Sequence, residues 1–147
     1  MPRRYVAVCG ASEATESQLA AAKEVGSLLA RAGAVVINGG LAGVAAAASE
    51  GAAGAGGTVV GLLPDAHRAG ANKYLTISLP TGMGQARNVL IVTAAESVIA
   101  IGGGWGTLSE IAVARRLGRP VVTLDSWPIS GLESVATPAE AVRRALE

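Results

Sequence analysis

The amino-acid sequence predicts an α/β fold, a doubly wound Rossmann-like parallel sheet of about six to seven strands flanked by helices. Short continuous apolar runs recur along the chain, and three of them are followed by glycine and then by a segment with helical periodicity. Hydrophobic residues make up 50% of the 147 residues, enough to build one sizeable core. We therefore expect a single domain over residues 1–147, with strands joined by right-handed βαβ crossovers.

The first half of the chain alternates predicted strands and helices. Residues 5–9 form an apolar run that ends at Gly10, which is typical of a strand buried on both faces. Thr15 and Gln18 have capping-box spacing, so we expect a helix that begins there and ends at Gly33. The following elements are a strand at 35–38, an alanine-rich helix at 44–53 and a strand at 58–63.

The second half continues the alternation after a loop. We expect a loop at 64–74 and a glycine loop at 102–106. The predicted strands are 75–79, 97–101 and 121–124, with a short extended piece at 134–136, and the predicted helices are 82–95, 107–117 and 138–146. Ligands of such sheets bind beyond the carboxyl ends of the strands. We therefore expect the turns after Cys9, Asn38 and Ile101 to converge on one site.

The strongest local signal for chemistry is the sequence IGGGWGTLSE at 101–110. Because Gly102, Gly103, Gly104 and Gly106 carry no side chains, their backbone can bring N–H groups close to an anion, and Thr107 can open a helix whose N-terminus adds partial positive charge. This pattern predicts a phosphate-binding loop. The alternative is a tight turn that needs glycine for packing alone.

Glu110 has two interpretations from the sequence. Thr107 and Glu110 have the T-x-x-E spacing of a capping box, in which the carboxylate accepts a hydrogen bond from the cap amide. Alternatively, the carboxylate faces a sugar whose phosphate is held by the loop above it. The spacing by itself does not separate the two.

A second glycine segment follows the predicted strand at 35–38. Gly39, Gly40 and Gly43 surround the start of the alanine-rich helix and resemble a second wall of the ligand site. The alternative is that these glycines allow the helix and strand to pack closely.

Arg87 lies at the start of an apolar helical run. Its planar guanidinium suits phosphate or carboxylate recognition, although a lone helical Arg is usually a solvated surface charge.

Composition excludes several classes of site and partner. The formal net charge of +1, with basic and acidic residues interspersed, predicts binding neither to nucleic acid nor to a membrane surface. With one cysteine and one histidine, no zinc site of the usual composition is expected, and a reducing cytoplasm is the expected location. Cys9 is expected in the core and His67 in solvent, and whether Trp105 stacks on a base or shields the loop is open. The dinucleotide fingerprint and the P-loop are both absent.

Over residues 6–124, the chain resembles the LONELY GUY (LOG) family and its relatives, once misnamed lysine decarboxylases, and is most similar to the branch that includes the molybdenum-cofactor carrier protein. The resemblance rests on GG-x-x-G-x-x-x-A at 39–47, on the Arg87 helix and on GG-x-GT-x-x-E at 103–110. It implies hydrolysis of the N-glycosidic bond of nucleoside 5′-monophosphates to free base and ribose 5-phosphate. It also implies that Gly103, Gly104, Gly106 and Thr107 bind the phosphate and that Arg87 and Glu110 are catalytic.

The chain departs from the LOG pattern at specific positions. Ile101-Gly102 stands where LOG enzymes have a proline before the glycines, and Asn88 where they have a lysine after the arginine. The second glycine segment has Val44-Ala45 in place of their Leu-Met pair. The leading hypothesis is a phosphoribohydrolase; the alternative is a non-catalytic carrier or sensor of a nucleotide or molybdopterin-type cofactor, and a third is an interaction module. We expect a small-molecule nucleotide or phosphorylated cofactor as partner, no cofactor or metal of its own, and the homodimer or higher homo-oligomer that the resemblance implies. Lysine decarboxylation is excluded because neither Lys23 nor Lys73 suits a Schiff base.

Overall fold

The computed structural model describes residues 3–147 and has the predicted architecture, a seven-stranded parallel sheet flanked by helices. The strands are β1 (Tyr5–Gly10), β2 (Val35–Asn38), β3 (Val59–Leu63), β4 (Ile77–Pro80), β5 (Ser97–Ile101), β6 (Val121–Leu124) and β7 (Glu133–Val135). The helices are α1 (Glu16–Arg31), α2 (Val44–Gly54), α3 (Arg87–Thr93), α4 (Trp105–Arg116) and α5 (Pro138–Ala145), with a 3₁₀ turn at Gly84–Ala86 before α3.

The strand order places a topological switch point in the middle of the sheet. The order is β4-β3-β2-β1-β5-β6-β7, so the chain builds outward from β1 on one side and then crosses to the other side. β1 and β5 are neighbours, and their last residues, Gly10 and Ile101, are paired. The carboxyl ends of these two strands are therefore where this fold opens a crevice.

Each face of the sheet carries its own apolar core. Side chains alternate between the faces, so Val6 and Val8 of β1 point to the layer made by α1, α2 and α5. Ala7 and Cys9 point to the opposite layer, where α3 and α4 pack. Because both faces are covered, the strands have the continuous apolar sequences that predicted them.

Helices α1 and α2 touch backbone to backbone. A Cβ at Gly26 would lie 2.0 Å from the carbonyl oxygen of Ala48, and one at Gly51 would lie 1.8 Å from that of Lys23. Glycine is required at both crossings because any side chain there would push the helices apart. The capping box predicted at the start of α1 is confirmed, since the Thr15 hydroxyl accepts from the Gln18 amide and the Gln18 side chain accepts from the Thr15 amide, both at 3.1 Å.

Several predicted boundaries are wrong. The helix predicted at 82–95 is only the 3₁₀ turn and α3, because Gly82 and Gly84 have φ of 65° and 57°, outside the right-handed helical region. The fourth strand begins at Ile77, later than predicted, because the Val59 N–H donates to the Thr76 hydroxyl at 2.9 Å, so the ladder with β3 starts at Val60 and Ile77. In the described part of the chain, no helix combines the length and apolarity needed to cross a membrane.

Candidate functional site

A cavity of about 670 Å³ opens at the carboxyl edge of the sheet. Its wall includes Gly10 and Ser12 from the turn after β1, Gly39 from the turn after β2 and Gly104 from the turn after β5. The convergence of these three turns, expected from the sequence, is confirmed. Arg87 from α3 and Glu110 from α4 complete the wall on the α3 and α4 side of the sheet.

The glycine loop enters α4 earlier than the sequence predicted. Gly102 and Gly103 have φ of 59° and 123°, which only glycine adopts without strain, and they turn the chain back toward the cavity. Gly104 is the N-cap and Trp105 the first helical residue, whereas the prediction began the helix at Thr107. The first bond of the helix runs from the Leu108 N–H to the Gly104 carbonyl.

The first turn of α4 presents unused amide groups. Within residues 3–147, the N–H groups of Trp105, Gly106 and Thr107 donate to no protein acceptor. These amides belong to the N-terminal turn, where N–H groups point out of the helix and the helix dipole is positive. Gly104, Gly106 and Thr107 line the cavity, so this end of the helix suits an anion inside it.

The capping-box interpretation of Glu110 is wrong. Thr107 is the third residue of α4 rather than its N-cap, and the N-cap Gly104 receives no side-chain bond. The Thr107 side chain instead packs against Gly103, where a Cβ would lie 2.5 Å from that of Thr107. Among the described residues, none forms a hydrogen bond or ion pair with the Glu110 carboxyl, which faces the cavity.

Burial controls the protonation of Glu110. The residue is 7% exposed, and the loss of hydration raises its pKa to about 8, with the positive charge of Arg87 acting in the opposite direction. At neutral pH the carboxyl is therefore mostly protonated. A neutral carboxyl can donate one hydrogen bond and accept another, whereas a carboxylate can only accept.

The Arg87 side chain is buried and forms hydrogen bonds to three segments of the chain, so it is not a surface charge. Its Nε donates to the Leu62 carbonyl at 2.8 Å, and its Nη2 and Nη1 donate to the carbonyls of Gly39 and Gly84, both at 3.4 Å. These bonds join β3, the turn after β2 and the 3₁₀ turn. Burial lowers the pKa of Arg87, and the nearby Glu110 opposes that shift. Within the described residues, the two side chains form no ion pair.

The second glycine segment is held by Asn38, a residue that the sequence did not single out as functional. The buried Asn38 amide donates to the Ser49 hydroxyl at 2.9 Å, and its oxygen accepts from the Gly40 N–H at 2.8 Å. Gly39 lines the cavity, whereas Gly40 and Gly43 shape the turn with φ of 77° and 72°. Gly103, like Gly40 and Gly43, is not part of the cavity wall.

Two further parts of the chain support the site, one on the Arg87 helix and one in a loop that the sequence did not mark. Asn88, noted only as a departure from the LOG pattern, lines the cavity and donates to the Ser109 hydroxyl at 3.3 Å. In the loop at 125–132, the Ser126 hydroxyl donates to the Gly102 carbonyl and the Trp127 indole donates to that of Gly104 at 3.1 Å. No periodicity or motif in the sequence marks that loop.

The remaining candidate side chains are placed as follows. Cys9 is buried at the cavity wall, and burial, together with the negative potential of Glu110, raises the pKa of its thiol well above the ordinary value. His67 is exposed. Within residues 3–147 there is no group of three or more His, Cys, Asp or Glu side chains that could hold a metal ion.

Comparisons with known proteins agree with one another. The model of the SLOG cluster4 family matches residues 3–145. An uncharacterized protein of Archaeoglobus fulgidus is 44% identical over 97% of this chain and 94% of its own. The molybdenum cofactor binding protein of Rippkaea orientalis is 31% identical with a TM-score of 0.92, over 100% of this chain and 99% of its own. The molybdenum cofactor carrier protein of Chlamydomonas reinhardtii is 30% identical with a TM-score of 0.91, and the match covers 99% of this chain and 97% of that protein.

Proposed function

The chain belongs to the SLOG cluster4 family, and from this premise we propose that it binds a phosphorylated pterin-type cofactor non-covalently and acts as a carrier. The relatives from Rippkaea orientalis and Chlamydomonas reinhardtii, described as binding and carrying the molybdenum cofactor, match this chain over nearly its whole length. The molybdenum cofactor is a pterin that bears a phosphate group. Its chemistry therefore calls for an anion site beside a cavity that admits a flat ring system.

The volume and the lining of the cavity support this proposal. Its volume of about 670 Å³ falls within the range of roughly 300–1,000 Å³ that is usual for small-molecule sites. The unused amides of Trp105, Gly106 and Thr107 supply the anion site at one end. Asn88 and the neutral Glu110 carboxyl supply polar groups along the wall. Such groups can pair with the nitrogen and oxygen atoms of a pterin edge.

The observation that carries the proposal is the first turn of α4, whose unused amides lie at the cavity in a chain that is similar over nearly its whole length to two proteins described as binding and carrying the molybdenum cofactor. Arg87 donates to the carbonyls of Leu62, Gly39 and Gly84, and Glu110 is buried with its pKa raised to about 8. A neutral carboxyl can donate a hydrogen bond to a bound pterin, and it is also what a general acid of glycoside hydrolysis needs. The hydrolysis implied by the LOG resemblance is therefore tested beside binding.

A binding experiment with a glycine variant tests the proposal. Molybdenum cofactor freshly released from a molybdoenzyme is mixed anaerobically with the protein, and pterin retained after gel filtration is measured by fluorescence. A Cβ at Gly106 would meet only the Asn88 amide nitrogen, at 3.9 Å, so Gly106→Ala places a methyl group in the cavity without disturbing the fold. We expect the parent to retain pterin and Gly106→Ala to bind it about tenfold more weakly.

The control variant and a hydrolysis assay complete the test. Gly54→Ala changes an exposed helical glycine whose Cβ would meet nothing within 4 Å, so it should bind like the parent. In parallel, AMP is incubated with the protein, and free adenine and ribose 5-phosphate are measured. Absence of pterin retention refutes the carrier. Release of adenine by the parent and not by Glu110→Gln supports the phosphoribohydrolase instead.

Self-association remains part of the proposal. The apolar side chains of Val89 and Leu90 on α3 and of Leu117 after α4 are 46%, 37% and 45% exposed. A second copy of the chain would cover such side chains. We propose a homodimer or higher homo-oligomer in the cytoplasm with no nucleic-acid partner, and sedimentation equilibrium of the protein would measure its size.

A further inference from the structure

The strongest unexplained feature is an exposed indole at the rim of the cavity. Trp105 is 78% exposed, more than any other large hydrophobic side chain in the described residues, yet it lines the cavity. The chain contains two Trp, two Tyr and no Phe. A sequence so poor in aromatic residues places an indole in solvent beside a ligand site, where its flat face is open.

A second indole holds the first one in place. The rings of Trp105 and Trp127 lie with centroids 5.4 Å apart and planes inclined by 40°. The Trp127 indole N–H also donates to the carbonyl of Gly104, the residue that precedes Trp105. Both Trp residues of the chain therefore lie at this rim, and Trp127 fixes both the ring of Trp105 and the peptide that positions it.

We propose that Trp105 is a ligand-contacting residue that stacks on the planar ring of the bound molecule while the first turn of α4 holds its phosphate. This inference rests on the carrier function proposed above, and it assigns Trp127 as the residue that positions Trp105. Stacking on an aromatic side chain favours a planar aromatic ring of suitable size and contributes nothing to the binding of a sugar phosphate without one. The Trp105 indole therefore recognises the planar ring of the ligand, and the amides of the first turn of α4 recognise its phosphate.

Phosphates with and without an aromatic ring separate these two contributions. Binding of neopterin monophosphate and of ribose 5-phosphate is measured by calorimetry for the parent, Trp105→Ala, Trp105→Phe and Gly106→Ala. We expect Trp105→Ala to weaken binding of the pterin phosphate about tenfold or more and to leave ribose 5-phosphate unchanged. Trp105→Phe keeps an aromatic plane and should recover most of the loss. Gly106→Ala should weaken both ligands.

Intrinsic fluorescence reports on the contact directly, because both Trp residues of the chain are in this pair. In Trp127→Phe, excited at a wavelength that Tyr does not absorb, only Trp105 emits. Neopterin monophosphate should change this emission with the same midpoint that calorimetry gives for Trp127→Phe itself, whereas ribose 5-phosphate should not change it. Equal pterin affinity of the parent and Trp105→Ala, with thermal unfolding unchanged, overturns the inference and leaves the carrier function intact. If neopterin monophosphate, ribose 5-phosphate and the molybdenum cofactor all fail to bind the parent, the proposed function fails as well.

Discussion

Replacing Glu110 by Gln should change how the stability of the protein depends on pH. The buried carboxyl has a pKa of about 8 in the folded protein, and in the unfolded chain its pKa is about 4.3. Between these values the folded state binds a proton that the unfolded state has released. The contribution of Glu110 to the free energy of unfolding of the parent therefore falls by about 1.4 kcal/mol per pH unit between these values, and it levels off above about pH 8.

The side-chain amide that Glu110→Gln introduces is neutral throughout this range, so the substitution removes that dependence. From about pH 5.5 to about pH 7.5 the stability of Glu110→Gln should rise by about 2.5 kcal/mol relative to the parent. Urea unfolding followed by circular dichroism at several pH values measures the difference, and Glu24→Gln, at an exposed position on α1, should follow the parent. A difference between Glu110→Gln and the parent that stays constant with pH would refute the assigned burial and protonation of Glu110.

Three further substitutions and reactions test the supports of the site. Arg87→Lys cannot reproduce the bonds to the Leu62 and Gly39 carbonyls, so the free energy of unfolding should fall by about 2–4 kcal/mol. An unchanged urea midpoint would contradict the structural role of these bonds. Asn38→Ala removes three hydrogen bonds of the turn and should cost about 2–3 kcal/mol in the same assay; a neutral effect would contradict their role. The thiol of Cys9 is buried at the cavity wall with a raised pKa, so it should react with a disulfide reagent much more slowly in the folded protein than after unfolding in urea, and equal rates would count against that placement.

Within the site, the sequence anticipated the residues better than their roles. The glycine loop, Arg87 and Glu110 do lie around one cavity. However, the T-x-x-E spacing suggested a cap where Glu110 has none, because Gly104 and not Thr107 begins α4. Arg87 could not be distinguished from a surface charge, since the carbonyls that surround it belong to segments up to 48 residues away.

The sequence by itself determined the order of elements and the place of the crevice. Strand runs, glycine turns and helix caps are local patterns, and parallel connections leave few ways to arrange them. The tertiary structure alone decided the protonation of Glu110, the engagement of Arg87 and the support given to Trp105 by Trp127. These properties depend on loss of hydration and on partners supplied by distant segments, which no local pattern in the sequence records.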